Sequence, residues 1–316
     1  MADALVITGA TATGKTGLAL DVAQRLKAEI ISLDSRQVYR GMDIGTAKPT
    51  RAERELVPHH GLDLVTPAER YSAGKFASDA RCWLEDIARR GKTAVLVGGT
   101  GFFLRSLTDP LFQEPPLPAD RRRALDVYLA EKSTDELLRW LAVLDPASAE
   151  RLTQQGGRQR MLRALEIALL TGYPLGWWHR NAESGPPPIS VLTFVLDLPR
   201  AVLNQRIDQR VLDMIDAGLV REVHDLMKEG HDERTPGMSA TGYIELIPYL
   251  RGEVTLAAAI AQIQGATRRY ARRQETWFRH QLPADVVRLD AQRDRSDLAD
   301  EIVARWEREV SSENRN

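Results

Sequence analysis

The chain has 316 residues, of which 28% are charged and 43% are hydrophobic, a composition that excludes a largely disordered protein. Its formal net charge of -1 gives no overall attraction to nucleic acid or to an anionic membrane, so a polyanionic partner must be held by local basic clusters. No segment approaches the roughly 18 apolar residues of a membrane span, and no basic, apolar leader opens the chain. The lone cysteine, Cys82, excludes an internal disulfide, is typical of a reducing compartment and is expected to pack on a helix. We therefore expect a cytoplasmic protein without a membrane partner.

Short apolar segments alternate with helical patterns in the first hundred residues. Residues 4–8, 29–33 and 93–97 are short apolar runs that predict strands, whereas residues 17–27 carry apolar side chains at helical spacing. This alternation predicts an α/β fold in which helices cover both faces of a parallel sheet.

Pro-rich stretches bracket a segment with a different pattern. Residues 114–188 have a helical pattern throughout the interior, and residues 189–198 are again apolar and β-branched. The sequence therefore predicts a core formed by residues 1–113 and 189–316 and a helical subdomain inserted at 114–188. We also expect a long helix over residues 255–281 and a short strand near 286–289.

A phosphate-binding motif follows the first predicted strand and precedes the first predicted helix. The pattern G-x-x-x-x-G-K-[ST] is formed by Gly9, Ala10, Thr11, Ala12, Thr13, Gly14, Lys15 and Thr16. Backbone amides of such a loop and the following helix N-terminus bind phosphate oxygens. Lys15 adds a positive charge, and the Thr16 hydroxyl suits Mg²⁺. The motif predicts a P-loop NTPase-like core and a phosphorylated ligand, as in nucleotide- and ATP-binding proteins, but it does not identify a reaction.

Several P-loop classes remain open at this point. A GTPase is disfavoured because neither D-x-x-G after the loop nor N-K-x-D occurs. A kinase of a nucleoside or small metabolite is an alternative, with Asp34 as the base after the second strand. An RNA-binding protein whose P-loop senses a nucleotide is another.

Further motifs make the chain resemble the tRNA dimethylallyltransferase family over nearly its whole length. They are DSRQVY at 34–39, GMDIGTAKP at 41–49, PHH at 58–60, GGTG at 98–101, QRMLRALE at 159–166, Gly242-Tyr243, and TRRYARRQ at 267–274 with WF at 277–278. The resemblance implies a P-loop core with a mobile helical insertion, and transfer of a prenyl group from the co-substrate dimethylallyl diphosphate with Mg²⁺. The acceptor it implies is the exocyclic amine of the adenosine 3′-adjacent to the anticodon, in tRNAs reading codons that begin with U.

Four residues are expected to carry the chemistry. Asp34 accepts a proton from the amine, since this nitrogen is a weak nucleophile and benefits from a base; a turn-forming aspartate is the alternative interpretation. Thr100 orients the amine. Lys15, together with the Mg²⁺ that Thr16 would hold, stabilises the departing diphosphate. Arg210 matches the family arginine that reaches it, although such a residue alone is typical of a solvated helix face.

Local basic clusters are expected to bind the anticodon stem-loop. Between Gly265 and Leu282 there are five arginines and one acid, and the aromatic residues Tyr270, Trp277 and Phe278 are interleaved with them. The target base must be flipped into the site. We expect a monomer whose tRNA-binding set contains Asp34, Ser35, Arg36, Gln37, Thr100, Arg122, Arg158, Gln159, Arg160, Met161, Leu162, Gly242, Tyr243, Arg268, Arg269, Arg272 and Arg273.

Overall fold

The computed structural model describes residues 2–109, 117–181 and 185–313 and divides into two compact units. The core unit contains Met1–Asp109 and Pro188–Asn316, and the insertion contains Pro110–Pro187. The predicted boundary between residues 113 and 114 lies outside the described residues.

Parallel strands of the described residues form one sheet in the core unit, in the order β3-β2-β4-β1-β5-β6. The strands are β1 (Ala4–Gly9), β2 (Glu29–Ser32), β3 (His59–His60), β4 (Ala94–Gly98), β5 (Val191–Asp197) and β6 (Val287–Asp290). The predicted parallel α/β sheet is confirmed. Strand β3 was not predicted, because two residues give no readable periodicity; the His60 ring there hydrogen bonds the Glu29 carboxylate at 2.8 Å.

The described residues form helices in both units, and those of the core unit cover both faces of the sheet. The helices are α1 (Lys15–Leu26), α2 (Arg51–Leu56), α3 (Ala73–Arg89), α4 (Gly101–Thr108), α5 (Ala119–Ala130), α6 (Thr134–Leu144), α7 (Pro146–Gln155), α8 (Arg158–Thr171), α9 (Leu175–Asn181), α10 (Arg200–Asp216), α11 (Leu219–Lys228), α12 (Ile247–Leu250), α13 (Leu256–Gln281) and α14 (Arg295–Glu313). Among the described residues, none of these helices is long and apolar enough to cross a lipid bilayer.

The side chains of β1 are buried on both faces of the sheet. Val6 belongs to a hydrophobic cluster with Phe76 of α3 and Leu104 of α4. Leu5 and Ile7 belong to a second cluster, which includes α1 and α14. Successive strand side chains point to opposite faces, so a strand that is buried at every position lies in the middle of a sheet with both faces covered.

The insertion has a hydrophobic cluster of its own, formed by side chains of α5 to α8. Its helix starts are set locally: Ser133 caps α6 in a reciprocal capping box with Glu136, and Asp145 accepts the Ser148 amide at 3.1 Å to begin α7. These caps satisfy backbone amides that the first helical turn leaves without partners.

One packing prediction is wrong. Cys82 lies on α3, but its side chain is exposed, because the buried face of that helix is formed by Phe76, Ala77, Ala80 and Ile87.

The sheet places three polar segments at the carboxyl ends of its strands. Strands β2, β4 and β1 are neighbours and run parallel, so their carboxyl ends lie side by side. The segments 34–37, 98–101 and 9–16 follow these three ends, at the position where open α/β sheets bind ligands.

Candidate active site

The phosphate-binding loop folds over the end of β1. Gly9 has φ +148° and lacks room for a side chain, since a Cβ there would lie 2.6 Å from the Leu196 carbonyl oxygen. The Thr13 hydroxyl donates to the Ala10 carbonyl at 2.9 Å, and Lys15 Nζ donates to the same carbonyl at 2.6 Å. The loop is thus closed by its own side chains, with Lys15 held across it.

One amide of this loop already has a partner. The Thr11 N–H donates to Gln274 Oε1 of α13 at 2.9 Å. The motif predicts that the amides of residues 9–16 face phosphate together. The Thr11 amide differs, because it already donates a hydrogen bond to a side chain far away in sequence.

Lys15, Asp34 and Arg210 line a cavity of about 310 Å³ above the loop. Burial, together with repulsion from Arg210, lowers the pKa of Lys15 to about 7, against the attraction of Asp34. Burial also lowers the pKa of Arg210. Two cations facing one cavity disfavour each other's charge, so the site is suited to a ligand with several negative charges.

Asp34 forms a turn and also faces the cavity. Its Oδ1 accepts the Arg36 amide at 2.8 Å, which is the turn geometry, and its side chain also lines the cavity above the loop. Burial raises the pKa of Asp34, while the Arg36 amide and the charge of Lys15 oppose the shift. A carboxylate with a raised pKa takes up a proton more readily, as a general base requires.

A second cavity, of about 300 Å³, shares part of its lining with the first. Asp34, Arg210 and Tyr270 line both cavities. The second cavity has apolar walls and basic and small polar groups; its lining includes Ile207, Val211, Met214, Ile263, Arg36, Arg273, Ser35 and Gly242. Two ligands of different chemistry can therefore approach the same carboxylate.

Thr100 lies at the edge of this arrangement. Its hydroxyl oxygen accepts the Ser35 amide at 3.1 Å and hydrogen bonds the Tyr270 hydroxyl. Burial and the nearby Asp34 raise the pKa of Tyr270 to about 12, so this phenol stays protonated at neutral pH. Thr100 thus follows β4 beside the segment that carries Asp34.

The GMDIGTAKP loop forms another wall, and its anchors were not found from the sequence. The Glu222 carboxylate accepts the amides of Asp43, Ile44 and Gly45 at 2.8 to 3.1 Å. Gln37, expected to contact RNA, instead donates its side-chain amide to the loop carbonyls of Thr46 and Ala47. These contacts join residues far apart in the chain, so no local motif reveals them.

The basic face of α13 is only partly as expected. Arg269, Arg272 and Arg273 are exposed or border the second cavity, whereas Arg268 forms an ion pair with Asp208. Two of the interleaved aromatic residues face inward: Phe278 is buried, and Trp277 packs against Gly101. The third, Tyr270, lines both cavities.

Several expected RNA contacts have structural partners. In the insertion, Arg122 pairs with Glu166, Arg158 donates to the carbonyls of Leu129, Ala130 and Lys132, and Met161 is buried. Gln159 and Arg160 are exposed and Leu162 is half-buried. In the core unit Tyr243 is completely buried, which contradicts its expected contact with tRNA.

Comparison with known proteins identifies the family. The family model described as IPP transferase matches residues 37–281, and one described as isopentenyl transferase matches residues 2–59. The chain belongs to the IPP transferase family. It is 45% identical over 307 residues to a tRNA dimethylallyltransferase of Roseiflexus sp. (strain RS-1), covering 96% of this chain and 98% of that protein.

Solved structures agree with this membership. A tRNA isopentenylpyrophosphate transferase from Bacillus halodurans is 35% identical with a TM-score of 0.69 and covers 99% of both chains. A eukaryotic dimethylallyltransferase described as acting on tRNA is 28% identical, has a TM-score of 0.82, and covers 98% of this chain and 79% of that one. The likeness extends over both units of this family member.

Proposed function

We propose that this enzyme transfers a dimethylallyl group from dimethylallyl diphosphate to the exocyclic amine of the adenosine 3′-adjacent to the anticodon in tRNAs reading codons that begin with U, and releases diphosphate. The observation that carries the proposal is the position of Asp34 and Arg210 in the wall shared by two cavities. The cavity above the phosphate-binding loop takes the donor, and the second cavity takes the flipped adenosine.

The donor loses its diphosphate by cleavage of the bond between the allylic carbon and oxygen. Negative charge then grows on the leaving oxygens, and Lys15, Arg210 and the loop amides stabilise it. Burial of the two cations Lys15 and Arg210 in one place is tolerated because the bound diphosphate supplies the countercharge.

Mg²⁺ fits the same cavity. Thr16 lies beside Lys15 in the lining, and its hydroxyl is the kind of hard oxygen ligand that Mg²⁺ uses together with substrate phosphates and water. The ion, when bound, supplies further neutralisation of the diphosphate charge. Among the described residues there is no group of three or more His, Cys, Asp or Glu side chains placed to bind a metal.

The acceptor nitrogen forms the new carbon–nitrogen bond as the carbon–oxygen bond breaks. Its proton passes to the Asp34 carboxylate, and the Thr100 hydroxyl hydrogen bonds the amine and orients its lone pair. The apolar walls of the second cavity and the guanidinium groups of Arg36 and Arg273 suit a flat base attached to a phosphate backbone.

The anticodon stem-loop is held by phosphate contacts of exposed basic groups. In the core unit the basic groups are Arg269, Arg272 and Arg273 of α13, and in the insertion the basic group is Arg160. The neutral, exposed Gln159 lies next to Arg160. We propose that the insertion contacts tRNA through that end of α8. We propose that the enzyme acts as a monomer, in the cytoplasm where its tRNA substrates occur.

One experiment separates this function from the alternatives. Purified protein is incubated with labelled dimethylallyl diphosphate, Mg²⁺ and unmodified tRNA, and the RNA is digested to identify the labelled nucleoside. Labelled adenosine next to the anticodon supports the proposal. A parallel incubation contains ATP and nucleosides, and consumption of ATP there with no label in RNA supports a kinase, for which Asp34 would deprotonate a hydroxyl. Absence of both reactions supports a nucleotide-sensing RNA-binding protein.

A further inference from the structure

One face of α13 contacts three consecutive residues of the turn after β4. Tyr270 hydrogen bonds Thr100, Gln274 hydrogen bonds the Gly99 carbonyl, and Trp277 packs against Gly101, where a Cβ would lie 2.3 Å from the indole ring. The spacing i, i+4 and i+7 places these side chains on one stripe of a helix. The conformation of this turn is thus determined by a helix far away in sequence.

Gln274 is the member of this stripe that also reaches the phosphate-binding loop. Its Oε1 accepts the Thr11 amide at 2.9 Å, and its Nε2 donates to the Gly99 carbonyl at 2.8 Å. The side chain is 6% exposed. A Cβ on Gly99 would lie 2.1 Å from Nε2, so the glycine leaves the space that the amide fills.

The strand pairing between the two segments that Gln274 joins ends before the residues it contacts. The β1–β4 ladder ends with the pair of Thr8 and Gly98, where the Thr8 hydroxyl also donates to the Gly98 carbonyl at 2.8 Å. Beyond these last paired residues, the Gln274 side-chain amide links the backbone of the phosphate-binding loop to the backbone of the turn after β4. Its rotamer is fixed by burial and by two hydrogen bonds of good length.

We propose that Gln274 is a positioning residue that fixes the distance between the phosphate-binding loop, which holds the leaving group, and the turn that presents Thr100 to the acceptor amine. The inference rests on the proposed function. Displacement of the diphosphate by the amine needs the reacting atoms within about 3 to 3.5 Å and aligned, and a misplacement of about 1 Å costs as much as 100-fold in rate. A residue with this role affects turnover of the bound substrates more than their capture.

The test compares Gln274→Ala and Gln274→Glu with Gln264→Ala. Gln264 is a matched control because it lies on the same helix, is half-buried and donates one hydrogen bond, to the Asp208 carbonyl at 3.3 Å. Steady-state transfer to unmodified tRNA gives kcat and the KM for tRNA, and thermal unfolding reports the fold. For Gln274→Ala we expect kcat to fall roughly 10- to 100-fold, with the KM for tRNA within about threefold of wild type and kcat of the control within about threefold.

The glutamate variant guards against a folding defect in the alanine variant. Gln274→Glu keeps the side-chain volume and an acceptor for the Thr11 amide, but it replaces the donor to Gly99 with a second oxygen. A folded Gln274→Glu protein with reduced kcat supports the inference. An unchanged kcat in that protein, or a rise in the KM for tRNA without a fall in kcat, overturns it.

The wild-type protein in the same assays distinguishes the two proposals. Absence of prenyl transfer by wild type overturns the proposed function and this inference with it. An active wild type with Gln274 variants that match the Gln264 control overturns this inference alone.

Discussion

The Tyr243 hydroxyl donates a hydrogen bond of 2.5 Å to the Glu222 carboxylate, which accepts three backbone amides of the 43–45 segment as well. The contact with Glu222 and burial raise the pKa of Tyr243, so the phenol remains a donor. A Cβ on Gly45 would lie 2.4 Å from the tyrosine ring. Tyr243 and Glu222 therefore act as the internal support of a loop that lines both cavities.

Removing this support should destabilise the protein. Glu222→Ala leaves three amides and a phenol without their acceptor, and we expect the free energy of unfolding to fall by about 2 to 4 kcal/mol, since hydrogen bonds to charged groups contribute roughly 1.5 to 3 kcal/mol and are not additive. Denaturant unfolding measures the loss. The exposed Glu229→Ala serves as control and should change stability by no more than about 0.5 kcal/mol; equal losses in both would contradict the role of Glu222.

Asp34→Asn tests the proposed base. Asparagine retains an oxygen that can accept the Arg36 amide, so the turn survives while the proton acceptor is lost. We expect turnover to fall by about 10² to 10⁴ with tRNA affinity retained, and Asp216→Asn on the exposed end of α10 to behave as wild type. In the wild type, turnover should decrease as the pH falls through the raised pKa of Asp34 and the carboxylate is protonated. Near-normal turnover of Asp34→Asn would remove this residue from the mechanism.

Binding of inorganic pyrophosphate should take up a proton at Lys15. Because the pKa of Lys15 is lowered to about 7 in the free protein, the amine is largely neutral at pH 8, and the anion raises its pKa again. Affinity should therefore weaken as the pH rises above about 7, by up to about tenfold per pH unit. Calorimetry in buffers of different ionisation enthalpy counts the protons. Lys15→Arg should lose this pH dependence, whereas Lys27→Arg should keep it.

Arg210 and Arg206 form a matched pair one turn apart on α10. Arg210 lines both cavities, whereas Arg206 is exposed. We expect Arg210→Ala to lower kcat/KM for the prenyl donor by about 10²- to 10³-fold, the range found when one donor to a developing oxyanion is removed. Arg206→Ala should remain within about threefold of wild type, and similar losses in the two variants would contradict a direct role for Arg210.

The exposed arginines of α13 should determine the salt dependence of tRNA binding. In a plot of log affinity against log salt concentration, each lost phosphate contact lowers the slope by about 0.7 to 0.9. Arg272→Gln combined with Arg273→Gln should therefore reduce the slope by about 1.4 to 1.8. Arg305→Gln combined with Arg308→Gln on α14 is the control for net charge, and a slope changed equally by both pairs would exclude a specific site on α13.

The sequence predicts those parts of the fold and site that depend on neighbouring residues. The strands, the phosphate-binding motif and the α13 helix each have a local signature, such as the continuous apolar run at the start of β1 or the spacing of Gly9, Gly14 and Lys15. The family resemblance located Asp34 and Thr100, and parallel neighbouring strands then bring them to one edge of the sheet.

Contacts between distant segments were not predictable in this way. The basic pattern of residues 268–273 is typical of a nucleic-acid face, but which side of a helix is buried depends on its tertiary packing. Trp277 and Phe278 therefore face the core, and Tyr243, which was expected to contact tRNA, packs beneath the 43–45 segment. Gln274 was visible only as one letter of a motif, because its two partners lie 263 and 175 residues away.

The adjacency of β2, β4 and β1 has a consequence for substrate choice. Neighbouring strands are separated by about 4.8 Å, so the segment bearing the base and the loop bearing the phosphates start two spacings apart, roughly 10 Å. Backbone hydrogen bonds maintain this interval up to the ends of the strands, and replacement of side chains in the cavity walls does not alter it there. Variation at wall residues such as Val211 and Met214 can thus change which hydrocarbon tail or base is accommodated. The strand spacing meanwhile keeps the base segment and the phosphate-binding loop at the same separation for every substrate.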